Sequence, residues 1–261
     1  MPLTESQRAR YERNLLIPGL GEEGQERLAR ARVLIVGMGG LGSPAAFYLA
    51  AAGVGTLGLL DSDRVEISNL QRQILHSVLR LGDAKTSSAA AALAALNPEV
   101  RIETFQERLT LENAAERMRD FDVVVEACDN FESKFLINDT CLELKKPFAT
   151  AGILALSGQA QFVVPGRTAC LRCVLPEIPE GVPTTSQLGV LGALPGILGS
   201  VEALEVIRWI AGPWEPQSGG SLHTVDARIS DRNTGGDMMR LHTLRLTRRP
   251  DCPCSRLWST R

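Results

Sequence analysis

The sequence has little net charge, few aromatics and no apolar run that goes far without a break. Lys and Arg together number 28 against 30 Asp and Glu, a formal charge of −2, which leaves no basic surplus for general nucleic-acid binding. Residues Met1 to Arg13 are polar and charged and lack the apolar segment of a signal peptide. The most apolar later stretch, Leu188 to Ile210, is broken by Gly192, Pro195, Gly196 and Gly199 and carries Glu202, Glu205 and Arg208. It reads as a buried loop and helix, not as a membrane span. His76, His223 and His242 have no partner at ligand spacing and read as incidental, and Trp209, Trp214 and Trp258 read as packing anchors. There are six cysteines, and with no export signal they point to a reducing cytoplasm and to metal rather than disulfides.

What is present is a chain of 261 residues, 44% hydrophobic, enough for one α/β domain with a large core. Its centre is Arg32-Val33-Leu34-Ile35-Val36-Gly37-Met38-Gly39-Gly40-Leu41-Gly42, a buried strand running into a glycine-rich turn and a helix. Gly37, Gly39, Gly40 and Gly42 permit positive φ and leave no Cβ in the way of a phosphate. Ser43-Pro44 opens the helix, whose first N–H groups face an anion. A second strand, Thr56 to Leu60, ends at Asp61, about 20 residues after the turn, where a dinucleotide fold keeps its ribose-binding carboxylate. On the glycines alone the natural reading is an NAD(P)-dependent oxidoreductase. Arg72 and Lys85 weigh against it, because a hydride-transfer site has no use for two cations there, whereas a triphosphate needs its charge neutralised.

The run Gly37 to Gly42, followed by Asp61-Ser62-Asp63 and Ser68-Asn69-Leu70-Gln71-Arg72-Gln73, resembles the ThiF/MoeB/HesA family, bacterial relatives of the ubiquitin-activating enzymes. The pattern is most similar to the molybdopterin-synthase adenylyltransferase type. The similarity covers about residues 8 to 254, and the hexapeptide is its most specific part. The resemblance implies a homodimer that uses ATP and Mg²⁺ to adenylate the C-terminus of a small ubiquitin-like sulfur-carrier protein ending in Gly-Gly. It implies that Asp61 holds the ribose, that Arg72 and Lys85 bind the phosphates, and that Asn69 positions a phosphate oxygen. Ser68 and Cys128 fall in the same nucleotide-contacting set. Asp63 either assists the metal or orients Arg72. Asp129 is the implied Mg²⁺ ligand, and Arg13, in Arg10-Tyr11-Glu12-Arg13, would reach the neighbouring subunit's ATP site. The family's usual Arg five residues after that Asp is Lys134 here, which keeps the charge but loses bidentate geometry.

Along the chain, residues 4 to 30 read as helical, interrupted at Pro18-Gly19. Helices are expected over residues 43–52, 83–96 and 111–119, and from near Phe131, capped by Asn130. Strands are expected at Val100–Phe105 and Asp122–Ala127, giving a mainly parallel Rossmann-like sheet with helices on both faces. From Ala151 the pattern changes: Ile153–Leu156 and Gln159–Val164 flank Ser157-Gly158, and Ser221–Ile229 and Met239–Leu246 flank Asn233 to Gly236. These predict antiparallel strands extending the sheet. The expected organisation is a single domain over 1–261, with a nucleotide-binding half (1–150) and a carrier-binding half (151–261).

Cys170 and Cys173, with Cys252 and Cys254, read as a closed four-thiolate structural Zn²⁺ site, although the family's second pair usually has two residues between its cysteines and this one has Pro253 alone. A redox C-x-x-C is disfavoured because Cys170 does not open a helix after a strand. Cys128 and Cys141 lie in apolar segments and read as small core residues. The stretch Pro183-Thr184-Thr185-Ser186-Gln187 has no cysteine where some family members carry one that takes over the activated carrier, so the chemistry is expected to stop at the acyl-adenylate. A rival within the family is adenylation of a peptide or of a pathway-specific carrier in natural-product biosynthesis, for which the motifs would be identical.

Overall fold

The chain is described by a computed structural model covering residues 2–179, 181–182, 185–214, 218–228 and 239–256. Strands β1 (Arg32–Val36), β2 (Thr56–Leu60), β3 (Arg101–Phe105), β4 (Val123–Glu126), β5 (Phe148–Leu154), β6 (Ser157–Val163), β7 (Ser221–Asp226) and β8 (Arg240–Arg245) form one sheet. Their order is β3-β2-β1-β4-β5-β6-β7-β8. The first five are parallel, and the last three add antiparallel to β5 and to one another.

In β1, Val33 and Ile35 join one core with Leu57, Leu59, Val123 and Val125, while Leu34 and Val36 join another with Leu60, Val124 and Phe148. The run is continuously apolar because both faces are covered. On the first face lie α2 (Gly21–Arg30), α3 (Gly42–Ala51), α4 (Lys85–Leu96) and α9 (Ala193–Ala211). On the second lie α5 (Ala114–Arg119) and α6 (Phe131–Glu143). Helix α1 (Glu5–Leu15) starts at a capping box on Thr4. It is anchored by buried Tyr11, whose hydroxyl accepts from Asn97 at 2.9 Å. Among the described residues three one-turn α-helices complete the set: α7 (Leu171–Val174), α8 (Thr185–Leu188) and α10 (Pro253–Arg256).

Several sequence expectations shift. Helix α5 begins at Ala114, not Leu111, because Asn113 caps the preceding turn by accepting from Thr110 N at 2.8 Å. The β5–β6 hairpin turns at Ala155-Leu156 rather than at Ser157-Gly158, which pair with Leu154 and Ile153 inside the ladder. Cys170 sits at the N-cap of the one-turn α7, but the preceding strand β6 ends at Val163, so it does not open a helix directly after a strand. Trp209 and Trp214 pack on Phe162 with ring centroids 5.8 and 6.0 Å away, as packing anchors should. The expected turn at Asn233–Gly236, Trp258, and residues Pro183 and Thr184 of the cysteine-free loop fall outside the described residues.

Candidate active site and metal centre

The parallel strand order reverses between β1 and β4, and an open α/β sheet binds ligands beyond the carboxyl ends of such a pair. A cavity of about 830 Å³ lies there. Gly37, Gly39 and Gly40 line it from the turn after β1, Asp61 and Asp63 from the end of β2, and Cys128 and Asp129 from the end of β4. Arg72 and Lys85 complete the wall. The turn needs its glycines for space as well as φ. Gly37 has φ +99, and a Cβ there would stand 2.6 Å from the Ala127 carbonyl oxygen; at Gly42 it would meet the Gly37 carbonyl oxygen at 1.9 Å. Gly42 therefore lies behind the turn and does not line the cavity.

The acidic and basic groups are already organised. Asp61 accepts from Met38 N (2.7 Å) and Asp63 N (2.8 Å), so its carboxylate fixes the glycine turn. Lys85 is buried and its Nζ donates to Asp63 Oδ2 at 2.8 Å. Arg72 donates to the Ser68 carbonyl at 3.1 Å. Ser68 and Asn69 do not line the cavity; they belong to the 3₁₀ turn Ile67–Asn69, where Asn69 caps Glu66 N at 3.3 Å. Asn130 caps α6 through Ser133 N, leaving Asp129 exposed beside it at the cavity wall. Arg13 lies away from the cavity of its own chain, in the last turn of α1 with its side chain 87% exposed.

Below the cavity lies a charged floor that the sequence analysis missed. Glu126 is fully buried and accepts from Lys134 Nζ (3.0 and 2.8 Å), Thr150 Oγ1 (2.6 Å) and Cys128 N (2.8 Å). Burial raises its pKa despite those partners. For Lys134 burial acts to lower the pKa, but its acidic surroundings, Glu126 first, more than offset it and the net shift is upward. Lys134 also donates to the Ala151 carbonyl, so this cation is committed to the protein and not to a ligand. Glu202 of α9, near this pair, is buried, and neither carboxyl oxygen has a hydrogen-bond partner among the described residues. Burial first, then the charge of Glu126, pushes it well above the usual carboxylate range. The signal was a lone acid ending an apolar strand, Val-Val-Val-Glu. Cys128, pushed up by burial and by Glu126, holds a neutral thiol, and Cys141 is fully buried. His76 is not incidental: it is buried, with both ring nitrogens hydrogen-bonded.

Cys170, Cys173, Cys252 and Cys254 come together with all four Sγ atoms within 4.8 Å of one another. Cys170–Cys252 and Cys173–Cys254 are 3.5 Å apart and Cys252–Cys254 3.3 Å. A tetrahedron with metal–sulfur bonds of ~2.3 Å has edges of about 3.8 Å, so four sulfurs at these spacings fit one Zn²⁺. The one-residue spacer at Pro253 does not prevent the approach. Hydrogen bonds from neighbouring thiols, first Cys170, bring Cys254 down to about 4, and Arg249 N donates to Cys173 Sγ at 3.5 Å. Helix α7 is held on α6 by Leu171 N to Asn138 (2.9 Å) and by a two-pronged Arg172–Asp139 pair (2.8 and 2.7 Å).

Comparison with known proteins points to one family. The Thermus thermophilus sulfur carrier protein adenylyltransferase is 41% identical over 260 residues, 97% of this chain and 92% of that one. The adenylyltransferase and sulfurtransferase MOCS3 of mouse is 44% identical over 252 residues, 96% of this chain and 53% of that protein. The Drosophila willistoni MOCS3 is 48% identical over 213 residues, 80% and 47% respectively. The chain thus spans about half the length of its MOCS3 relatives. Among solved structures, Escherichia coli MccB with MccA-N7isoASN superposes with a TM-score of 0.80 at 22% identity, covering 97% of this chain and 75% of that one. MccB with ATP gives 0.78 at 24%, covering 94% and 74%. These structural likenesses establish the fold. The ThiF family profile matches residues 11–254, and with that span and these relatives the chain belongs to the ThiF family.

Proposed function

We propose that the protein adenylates the C-terminal glycine carboxylate of a small ubiquitin-like sulfur carrier, converting carrier carboxylate and MgATP to carrier acyl-adenylate and pyrophosphate. The observation that carries this reading is the convergence of Asp61, Arg72, Lys85 and Asp129 on one cavity beside a glycine turn. The sulfur-carrier relative, matched over nearly all of both chains, favours a carrier protein over a free peptide.

The substrate supplies its own nucleophile. A terminal carboxylate is ionised near pH 7, so no general base is required, and the protein's task is alignment and neutralisation of phosphate charge. Gly39 and Gly40 let the backbone approach the phosphates. Asp61 faces the ribose hydroxyls, and Arg72 and Lys85 take the phosphate charge, Lys85 exchanging Asp63 for the ligand. Mg²⁺, when bound at Asp129, supplies further positive charge against the phosphates. Asn69 and Ser68, one turn from Arg72, hold its arginine in reach of the site. The carrier tail enters over the half from residue 151 onward, where Gly152, Ala160 and Leu222 line the far end of the cavity.

Two protomers complete the site, with Arg13 of each serving its partner's cavity; the high exposure of Arg13 supports this. The cysteine cluster holds a structural Zn²⁺ and suits a reducing compartment such as the cytoplasm. With no cysteine in residues 183–187, the product is released as the acyl-adenylate without a bond to this chain. ATP–pyrophosphate exchange with a panel of Gly-Gly-ended carriers tests the reading. Exchange dependent on one carrier is expected; NADH turnover without exchange, or a reducible carrier adduct on this chain, would overturn it.

A further inference from the structure

His76 lies in the turn after Arg72, its main-chain N–H bonded to the Gln73 carbonyl at 3.1 Å. The residue is 7% exposed. Nε2 lies 2.9 Å from the Met38 carbonyl oxygen, and Nδ1 lies 2.9 Å from Ser88 Oγ. A carbonyl can only accept, so Nε2 carries the hydrogen and Nδ1 receives the Ser88 hydroxyl. One neutral tautomer satisfies both bonds. Ser88 is 2% exposed, which rules out reading the pair as a hydrolytic dyad, since no substrate could reach its hydroxyl.

The two partners belong to different parts of the site. Met38 is the second residue of the glycine turn, and its N–H is held by Asp61 at 2.7 Å. The Met38 backbone is therefore gripped at both polar groups, the N–H by a carboxylate and the C=O by the imidazole. Ser88 lies on α4 within one turn of Lys85, the residue that opens that helix. The ring thus spans from the backbone that would cradle phosphates to the helix that carries the phosphate-binding ammonium.

We infer that His76 is a positioning residue for nucleotide binding, fixing the glycine turn to the Lys85 helix so that backbone N–H groups and ammonium stay in register for the phosphates. The inference rests on the ATP reading above. A ring that only filled space would be replaceable by any aromatic of similar size. A ring that positions the turn needs a donor at Nε2, which phenylalanine lacks and the glutamine amide can supply.

The test is calorimetric titration of the full chain with the Mg²⁺ complex of a non-hydrolysable ATP analogue, with folding checked by circular dichroism. His76→Phe is expected to weaken binding about tenfold and His76→Gln to return it to within about threefold of the parent, the range of one or two buried hydrogen bonds. The carrier KM in the exchange assay should stay unchanged in both. Binding by His76→Phe within twofold of the parent, or equal losses in Phe and Gln variants, would overturn the inference alone. No binding by the parent chain would overturn the ATP reading and this inference with it. Should His76→Phe fail to fold, Ser88→Ala keeps the ring and removes one bond. A loss of about threefold is then expected, and an unchanged affinity counts against the inference.

Discussion

Lys134 and Arg72 differ in what their charge is for, and substitution should separate them. Lys134 donates to both oxygens of Glu126 and to the Ala151 carbonyl, which uses all three of its protons. Lys134→Met would leave Glu126 buried without its counter-ion, at a cost of about 3–5 kcal/mol in chemical denaturation. Arg72 is half-buried at the cavity wall and bonded to one carbonyl. Arg72→Ala should fold normally and lower pyrophosphate exchange roughly a hundredfold or more, as loss of a group that stabilises transition-state charge does. The sequence pointed to Asp61 by its distance from the glycines, to Arg72 and Lys85 by the positive charge they add beyond it, and to Asp129 by its place at a strand end and the family resemblance. It passed over Glu126, Thr150 and His76 because their partners, Lys134, Cys128 N, Met38 O and Ser88, come from chain segments that only the folded sheet brings together.

The element-scale expectations failed where tertiary packing overrode local preference. Ser157-Gly158 looks like a turn, yet Gly158 lies inside β6 because a Cβ there would meet Leu198 Cδ1 at 2.5 Å and the Gly152 carbonyl oxygen at 2.8 Å. Ala155 instead takes the left-handed conformation, with φ 52, a position sequence habit reserves for glycine. Gly158→Ala should therefore overpack the sheet–α9 contact and cost about 1–3 kcal/mol in thermal or denaturant unfolding. The cysteine cluster ties α7 to the α10 segment. Cys254→Ser is expected to abolish bound zinc measured by atomic absorption and to open the segment around residues 249–256 to protease, with the sheet retained by circular dichroism.

At the scale of the whole molecule, two buried groups give stability opposite pH trends. Burial, with help from Lys85, lowers the pKa of His76. Its neutral ring supports the fold fully above about pH 6.5, the ordinary imidazole value, and that support is lost as pH falls below it. Glu202 is pushed upward from the ordinary 4.5, so its neutral carboxyl supports the fold fully below the usual carboxylate range and progressively less as pH rises through and beyond it. Glu202→Gln should thus raise the denaturant midpoint more at pH 8 than at pH 5; an equal gain at both would show that Glu202 is charged in the fold. The mainly parallel sheet was readable from the alternation of apolar runs and helices, whereas the start of β5 at Phe148 was not, because Phe-Ala-Thr-Ala is locally as good a helix as a strand. That strand pairs in parallel with β4 on one side and antiparallel with β6 on the other. The two regions it joins consequently share a single uninterrupted plank with no crease to fold along. Any gripping of reactants has to come from loops moving over a stationary bench.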